Sequence, residues 1–421
     1  MRIDLRYGEG TLPLEIPHGY DSEKIVPKKV VGLSNISDEM NRSVEAAINS
    51  VPLSQLLGRV KTAALVVNSE QDTKLVKSLL NMLLKILRTS MTNPSDITVL
   101  YSPKNDPAPT HSEIDKILGH PTADGLKLIL HNPNDDEALC YLGDTSTHST
   151  PVSISKAFAE TDIRIGLGTI RQHVFVGATG GRMSVMPNVS GYKTILRNSK
   201  LQAIGPIGPY VTNSATCIDM DEISQIAGLD FIVNAVPDCS DTIANIITGE
   251  PLGAWSQGVD IAKTLTETPL HHKSDIAVVS AGGMSSDSTL YDAVDCLYAA
   301  REATEYGGTI VLIAECKEGP GPSGFLRGVS ECHSESEVVV LAETGFELGM
   351  ERARFLWNIL SSRNLIICSR LRESMVAEHF HSIAVKDPQE GFELAKRQIV
   401  SRPRVAVIPQ GNWTFPVFRN R

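Results

Sequence analysis

A histidine shortly ahead of a glycine pair is the pattern in this sequence that most suggests chemistry. His173 precedes Gly180 and Gly181 in the segment HVFVGATGGR. An imidazole, whose ordinary pKa is about 6.5, can act as a general acid or base near neutral pH. The main-chain amides of a glycine turn can bind a phosphate or a carboxylate. A structural histidine beside a plain tight turn would give the same residues, so the pattern predicts a candidate site and leaves that alternative open.

Three aspartates form a second group of candidates. Asp106 stands in a loop stiffened by Pro107 and Pro109. Asp292 and Asp295 are three residues apart, so they share one face of a helix. Carboxylates of an ordinary turn and of a solvated helix face are the competing interpretation.

The cysteines and paired histidines do not indicate a metal site. The seven cysteines are scattered, odd in number and free of any Cys-x-x-Cys pair, which predicts reduced thiols rather than disulfides or a zinc site. His271-His272 and the pair His379 and His381 lack further ligands at metal spacing.

Charge and hydropathy limit the partners. A net charge of −10 over 421 residues argues against binding to a nucleic-acid backbone, which requires a basic surface. The N-terminus lacks the apolar core of a signal peptide, and no apolar run approaches the roughly 20 residues that span a bilayer. We therefore predict a cytoplasmic protein with a small-molecule ligand and no nucleic-acid or membrane partner.

The elements that must position these residues alternate between buried strands and amphipathic helices. The predicted strands are 62–68, 96–102, 125–132, 162–170, 231–236, 275–283, 307–316, 364–370 and 404–411, and the predicted helices are 74–87, 288–304, 345–363, 390–399 and one that begins near 239–241. Thr110 and Glu113 form a capping box that starts a further helix. This alternation indicates parallel sheets with crossover helices, and ligands of such sheets bind at the carboxyl ends of the strands.

A polar stretch, TLTETPLHHKSD (264–275), predicts the main domain boundary. We place a first α/β domain at 1–268 and a second at 274–400. The final strand, 402–421, can return to the first domain.

Four segments, in this order, resemble the nickel-dependent lactate racemase family (LarA). They are LRYGEGTLPLEIP (5–17), QHVFVGATGGRMSVMPNVSGYKTILRNS (172–199), SAGGMSSDSTLYDAVD (280–295) and GGTIVLIAECKEGPGPSGF (307–325). The resemblance covers nearly the whole chain. It implies an α/β fold of two domains, each with a mostly parallel sheet and crossover helices, and an active-site cleft between them.

The resemblance also implies an activity. Members of the family racemise or epimerise 2-hydroxy acids by moving a hydride to and from a nickel-carrying pyridinium pincer nucleotide. A lysine is joined to this cofactor, a histidine binds the nickel, two further histidines exchange the hydroxyl proton, and an arginine and a lysine hold the substrate carboxylate. The hydride chemistry belongs to the cofactor, while the protein attaches and orients it.

This sequence departs from the family at most of these positions. Met183 stands where the resemblance places the tether lysine, and Ser199 stands where it places the nickel-ligand histidine. Asp106 takes the place of one catalytic histidine, and only His173 keeps a role-bearing residue. We therefore expect no covalently held nickel-pincer cofactor and no bound metal, with Asp106 and His173 as the catalytic pair.

The carboxylate-binding positions also change. Asp72 replaces the arginine and Asp295 replaces the lysine, while Asp287 and Tyr291 persist and Asp292 replaces a glutamine. Two unit charges about 4 Å apart interact by about 4 kcal/mol at an effective dielectric near 20, so a lactate-like anion is expected to meet repulsion. We predict that the substrate-binding residues are these five together with the glycine pair, namely Asp72, Gly180, Gly181, Asp287, Tyr291, Asp292 and Asp295.

Three functions are compatible with this pattern. The first is an isomerase-type enzyme that racemises or epimerises a small hydroxy acid or sugar-acid-like compound without the covalent cofactor. The second is a catalytically inactive small-molecule-binding or regulatory protein. The third is a nickel-pincer racemase with unconventional ligands, in which Lys193 or Lys200 supplies the tether from a shifted position.

Overall fold

The computed structural model describes residues 1–68, 73–91, 93–103, 109–284, 286–397, 399 and 402–418. Its strands, in chain order, are β1 (Arg2–Tyr7), β2 (Gly10–Glu15), β3 (Asp21–Lys24), β4 (Ala63–Asn68), β5 (Ile97–Ser102), β6 (Lys127–Leu130), β7 (Leu139–Asp144), β8 (Pro151–Ser155), β9 (Ile163–Thr169), β10 (Gln172–His173), β11 (Gly177–Ala178), β12 (Phe231–Pro237), β13 (Ile243–Gly249), β14 (Glu267–Leu270), β15 (Ser274–Ser280), β16 (Thr304–Ile313), β17 (Asn364–Cys368), β18 (Ile383–Val385), β19 (Arg404–Ile408) and β20 (Phe415–Phe418). Its helices are α1 (Ile36–Glu45), α2 (Leu53–Leu57), α3 (Thr73–Ser90), α4 (His111–Leu118), α5 (Lys156–Ala159), α6 (Tyr192–Ile204), α7 (Ala215–Ala227), α8 (Pro251–Thr266), α9 (Leu290–Ala293), α10 (Leu297–Ala303), α11 (Ser323–Ser330), α12 (Glu335–Gly345), α13 (Met350–Leu360), α14 (Glu373–Phe380) and α15 (Pro388–Arg397).

The first sheet has the strand order β13-β12-β9-β4-β5-β6. All neighbours pair in parallel except β13, which is antiparallel to β12. Its central strands are mainly apolar and almost entirely buried, as expected for strands covered on both faces. Helix α3 packs against this sheet with a buried row at helical spacing, which comprises Leu79, Leu83 and Leu87.

The second sheet has the order β18-β17-β16-β15-β19-β3 and is parallel throughout. Its core contains Ile276, Val278, Val311, Ile366 and Val407. These two parallel-dominated sheets with their crossover helices confirm the predicted α/β class.

The chain divides differently from the predicted bounds of 1–268 and 274–400. One compact unit consists of Met1–Lys28, Ser199–Pro209 and Thr266–Arg421, and the other of Lys29–Asn198 and Tyr210–Leu265. We call the latter the first-sheet unit and the former the second-sheet unit.

Strand pairing explains the difference. At the amino end, β3 pairs with β19, and the β1–β2 hairpin packs on the same core. The final strand does not return to the first sheet, because β19 pairs with β15. Sequence periodicity predicts where strands occur but not which distant strand each one joins.

The predicted helix near 239–241 is wrong. The carboxylate of Asp238 accepts the main-chain amides of Ser240, at 2.8 Å, and Thr242, at 3.0 Å. An aspartate that binds the amides following it closes a turn, so the chain reverses into β13 and the next helix, α8, begins at Pro251. By contrast, the predicted capping box is confirmed at the start of α4 by reciprocal bonds of Thr110 and Glu113.

None of the helices in the described part of the chain combines the length and the apolar character needed to cross a bilayer.

Candidate active site

The glycine turn lies directly after the β10–β11 hairpin, and its backbone requires glycine. Gly180 has φ +79° and Gly181 has φ +51°, both in the left-handed region. A β-carbon on Gly181 would lie 2.6 Å from Cδ1 of Trp255, and one on Gly180 would lie 3.0 Å from the main-chain oxygen of Thr169. The turn therefore tolerates no side chain at either position.

Hydrogen bonds within the first-sheet unit hold the turn. The Gly181 amide donates to Oδ1 of Asn234 at 3.0 Å, and the Met183 amide donates to the Gly180 carbonyl at 3.0 Å. Both glycines are buried. Because Asn234 already satisfies the Gly181 amide, the turn shapes the loop in this conformation rather than presenting that amide to an anion.

Arg182 and Met183 follow the glycines in a short 3-10 turn. The Arg182 guanidinium is buried, donates to Asp221 at 2.7 Å and lies 4.2 Å from the centre of the Trp255 ring. Burial raises the pKa of the Asp221 carboxyl above its ordinary value, against the opposing effect of Arg182. Met183 is 8% exposed. Its thioether cannot form the amide-type bond that a lysine amine can form.

His173 is half-buried on β10. Its Nδ1 accepts the main-chain amide of Phe175 at 3.2 Å. A ring nitrogen that accepts a hydrogen bond cannot carry the proton, so the neutral imidazole keeps its hydrogen on Nε2. Nε2 is then the atom that can exchange a proton with a ligand.

The Asn198–Ser199 pair lies within α6. Asn198 is fully buried, and its amide nitrogen donates to Asp219 at 2.9 Å and to the Thr216 carbonyl at 3.1 Å. Ser199 is also buried, at 8% exposure. A serine hydroxyl is a poor substitute for an imidazole as a nickel ligand.

The two lysines considered as shifted tethers are both on α6. Nζ of Lys200 donates to the main-chain carbonyl of Glu343 at 2.8 Å. Lys193 is exposed. Neither arrangement supports a tether displaced from position 183.

Asp287 is buried in the second-sheet unit. Its Oδ2 accepts the amide of Gly8 at 2.8 Å and that of Glu315 at 3.1 Å. Among the described residues, Oδ1 has no hydrogen-bond partner. Through Oδ2 this carboxylate joins the tip of the β1–β2 hairpin to the end of β16.

Tyr291 and Asp295 belong to a partly buried network that includes two residues of α13. Arg352 donates twice to Asp295, at 2.8 and 2.7 Å, and once to the Tyr291 hydroxyl, at 2.6 Å. That hydroxyl donates to Glu351 at 2.8 Å. Burial, above all, raises the pKa of the Tyr291 phenol well above its ordinary value.

This network changes the electrostatic prediction. Asp295 does not present an uncompensated charge, because Arg352 neutralises it. Asp292 accepts the hydroxyl of Thr289, the N-cap residue of α9, at 2.7 Å. Asp295 itself therefore offers little repulsion to an anion, and the cation beside it, Arg352, is already paired.

The other two predicted site residues, Asp72 and Asp106, lie outside the described residues. Their roles stay predictions.

Comparison with known proteins decides the family. The model of the lactate racemase N-terminal domain matches residues 7–206, and that of the lactate racemase C-terminal domain matches residues 270–414. The chain belongs to the lactate racemase family. The resemblance carried by the four sequence segments is thereby confirmed.

Similar proteins span the whole chain. The lactate racemase of Lactiplantibacillus plantarum is 26% identical over 419 residues, which are 97% of this chain and 98% of that protein. The lactate racemase of Thermoanaerobacterium thermosaccharolyticum is 25% identical over 425 residues, 97% of each.

Two solved structures share the fold. The lactate racemase apoprotein from T. thermosaccharolyticum has a TM-score of 0.89 at 23% identity and covers 100% of both chains. A crystal structure of a Thermotoga maritima protein has a TM-score of 0.67 at 13% identity and covers 93% of this chain and 100% of that one.

The described residues do not fit the nickel-pincer cofactor of the lactate racemase family. Met183, the buried side chain where the resemblance places the tether, has no nucleophilic nitrogen, and Ser199 stands where the resemblance places the nickel ligand. Across the described ranges, no three His, Cys, Asp or Glu side chains lie close enough to hold a metal ion. We derive no catalytic step through this cofactor.

Three residues that shape the site escaped sequence reasoning. Asn234 is a polar residue inside the apolar strand FIVNAV, and this contrast could have identified it. Trp255 and Arg352 lie on α8 and α13, where nothing in the sequence distinguishes them from ordinary helix residues.

Proposed function

We propose that this chain is an isomerase of the lactate racemase family that racemises or epimerises a small hydroxy acid or sugar-acid-like compound without a covalently held nickel-pincer cofactor. The supporting observation is the combination found at one turn. The glycine turn is held by hydrogen bonds at the Gly181 amide and the Gly180 carbonyl, and His173 stands beside it, yet the side chain at the crest is the thioether of Met183.

His173 is the group to which we assign proton transfer. The amide of Phe175 occupies Nδ1, so we assign the exchange to Nε2: the neutral ring gives its Nε2 proton to a substrate oxygen, which leaves an imidazolate, and the imidazolate takes a proton back from the substrate hydroxyl. Inversion at a carbon requires a second group on the opposite face. Asp106 is our candidate for that group.

Replacement of His173 tests this assignment. We expect His173→Ala to reduce turnover by about 100-fold or more, because general acid–base catalysis contributes that much, and to leave the melting temperature nearly unchanged. The measurement is chiral chromatography, with solvent-deuterium incorporation, on lactate, glycerate and gluconate. His271→Ala, at an exposed position, is the matched control. Equal turnover by His173→Ala and the wild type would disprove the role.

A second experiment tests the absence of a covalent cofactor. The protein is co-produced with the enzymes that make the nickel-pincer nucleotide, and its intact mass and nickel content are measured. We expect the unmodified mass and no stoichiometric nickel. A covalent adduct with one nickel per chain would make the protein a nickel-pincer racemase. Binding of lactate, glycerate or gluconate without turnover would make it a binding protein.

A further inference from the structure

Trp255 contacts the glycine turn at three residues, Thr179, Gly181 and Arg182. Its indole N–H donates to the main-chain carbonyl of Thr179 at 2.9 Å. Its ring occupies the space that a side chain on Gly181 would need, with Cδ1, Cγ and Cβ between 2.6 and 3.0 Å from that β-carbon position. Its face stacks on Arg182, 4.2 Å from the guanidinium carbon.

Each contact fixes a different part of the turn. The bond to Thr179 holds the residue that enters the turn, and the ring supports Gly181 at its centre. The stacked Arg182 is held on its other side by Asp221, at 2.7 Å, and by the Val176 carbonyl, at 3.2 Å. Trp255 is 5% exposed, so this support is shielded from solvent.

The segment fixed by Trp255 continues directly into the strand that carries His173. The Thr179 amide donates to the Arg171 carbonyl at 2.8 Å. In the β10–β11 hairpin, His173 pairs with Gly177, two residues before Thr179. A shift of the Thr179 carbonyl would therefore be transmitted to the main chain on both sides of His173.

We propose that Trp255 is a positioning residue for His173: it clamps the glycine turn and thereby sets the direction in which Nε2 of His173 meets the substrate. This inference rests on the proposed function of His173. Trp255 stands outside the four segments that carry the family resemblance. All contacts of Trp255 with the turn are non-covalent. They can therefore hold the turn although Met183 cannot form a covalent tether.

The test distinguishes the contribution of the indole N–H hydrogen bond from that of the contacts made by the aromatic ring. Trp255→Phe retains an aromatic ring under Gly181 and Arg182 but loses the bond to Thr179. The matched control is Trp357→Phe, because Trp357 is also buried and donates its indole N–H to a main-chain carbonyl, that of Gly328 at 3.2 Å. If Trp255→Phe does not fold, Trp255→Tyr, which equally lacks the indole N–H, takes its place.

Two readouts are needed. The first is the pH titration of the His173 ring by NMR on histidine-labelled protein, with His173→Gln to assign the signal. We expect a changed ring shift and titration midpoint in Trp255→Phe and wild-type behaviour in Trp357→Phe. The second is turnover, where we expect kcat to fall by about tenfold with KM within about twofold, since misplacement of a catalytic group affects the chemical step.

The outcomes are distinguishable. An unchanged His173 titration in Trp255→Phe would overturn the positioning role, whatever the activity. A changed titration in a protein whose wild type turns over none of the compounds would support the clamp and remove the proposed function. A changed titration in both Trp255→Phe and Trp357→Phe would mean a general loss of packing and would also overturn the inference.

Discussion

Arg352 carries a nearly buried positive charge. Two side chains, those of Tyr291 and Asp295, accept hydrogen bonds from it. Its side chain is 15% exposed, and that of Asp295 is 18% exposed. Removal of one partner from such a pair leaves the other charge uncompensated in a poorly solvated place, which costs more than the pair itself contributes. The energetic importance of the pair therefore appears only when one residue is changed alone.

A double-mutant cycle measures this dependence. We expect Asp295→Ala and Arg352→Ala each to lower the free energy of unfolding by about 3 kcal/mol, and the double variant to lower it by clearly less than the sum. The measurement is urea denaturation. The pair Arg88–Asp124, at 2.8 Å but with side chains 36% and 54% exposed, is the control, and its coupling should stay below about 1 kcal/mol. Additive effects at Asp295 and Arg352 would contradict the network.

The same pair shows the limit of sequence reasoning at the residue scale. Position 295 could be identified because SAGGMSSDSTLYDAVD resembles the family's segment, and its change of charge was visible there. Its partner, 57 residues further along the chain, was not. A charge in a sequence has no known environment until the fold places its neighbours, so the predicted repulsion of an anion by Asp295 was wrong in its physical premise.

Two short elements depend on single side chains that bind the main chain of a neighbour. The glycine turn depends on Trp255, whose indole N–H donates to the main-chain carbonyl of Thr179. The β7–β8 hairpin depends on Glu222 of α7, whose carboxylate accepts the Thr147 hydroxyl at 2.6 Å and the amides of Ser146 and Thr147. The glycine pair was recognisable from sequence, but Glu222 resembled any exposed helix residue.

Substitution of Gly181 tests the turn. We expect Gly181→Ala to lower the free energy of unfolding by about 3 kcal/mol, through the left-handed backbone and the overlap of its β-carbon with the Trp255 ring. Gly307→Ala measures the cost of the left-handed backbone without the overlap, because Gly307 has φ +78° but nothing within 4 Å of its β-carbon position. Its cost should be about 1 kcal/mol. Equal costs, measured by denaturation, would refute the overlap.

Glu222 makes the stability that it gives to the β7–β8 hairpin depend on pH. Bonds from Thr147 and Ser146, in that order, lower its pKa from 4.5 to about 2. A depressed folded-state pKa contributes stability that is fully present above pH 4.5 and is lost as the pH falls from 4.5 towards 2.

We therefore expect Glu222→Gln to be less stable than the wild type at pH 7 and to lose less stability between pH 5 and pH 3. Urea denaturation at these pH values measures both. Glu378→Gln, at an exposed glutamate for which the described structure shows no hydrogen bond, is the control and should follow the wild-type curve. Parallel curves for Glu222→Gln and the wild type would refute the assignment.

At the scale of the whole molecule, each sheet was predictable and the division of the chain was not. Apolar runs predicted most strands of both sheets. β3, with the sequence DSEK, was not recognisable, because an edge strand with one open side carries polar residues. Its pairing with β19 joins residues as distant as Asp21 and Arg404, which only the assembled sheet brings together.

Shortening the chain tests this arrangement. A chain that ends at residue 401 lacks β19, so β15 and β3 lose their shared neighbour and the core side chains Val405 and Val407 are removed. We expect fast hydrogen exchange in β15 and β16, with protection retained in β4 and β9 of the first-sheet unit. A chain that ends at Thr414 lacks only β20, which pairs with β14, and should keep β15 protected. Protection of β15 in both chains would contradict the role of β19.

The pairing of β3 with β19 also has a consequence for the order in which the protein folds during synthesis. Lys24 and its partner Val407 are separated by 383 residues. At a synthesis rate of about 5–20 residues per second, β3 leaves the ribosome roughly 20–80 seconds before its partner strand exists. The first-sheet unit, whose strands all lie between these two, is complete on the growing chain while β3 still lacks its partner strand. Nascent chains are therefore expected to carry an unpaired strand edge for most of their synthesis, and chaperone binding to that edge would be released only when the last strand arrives.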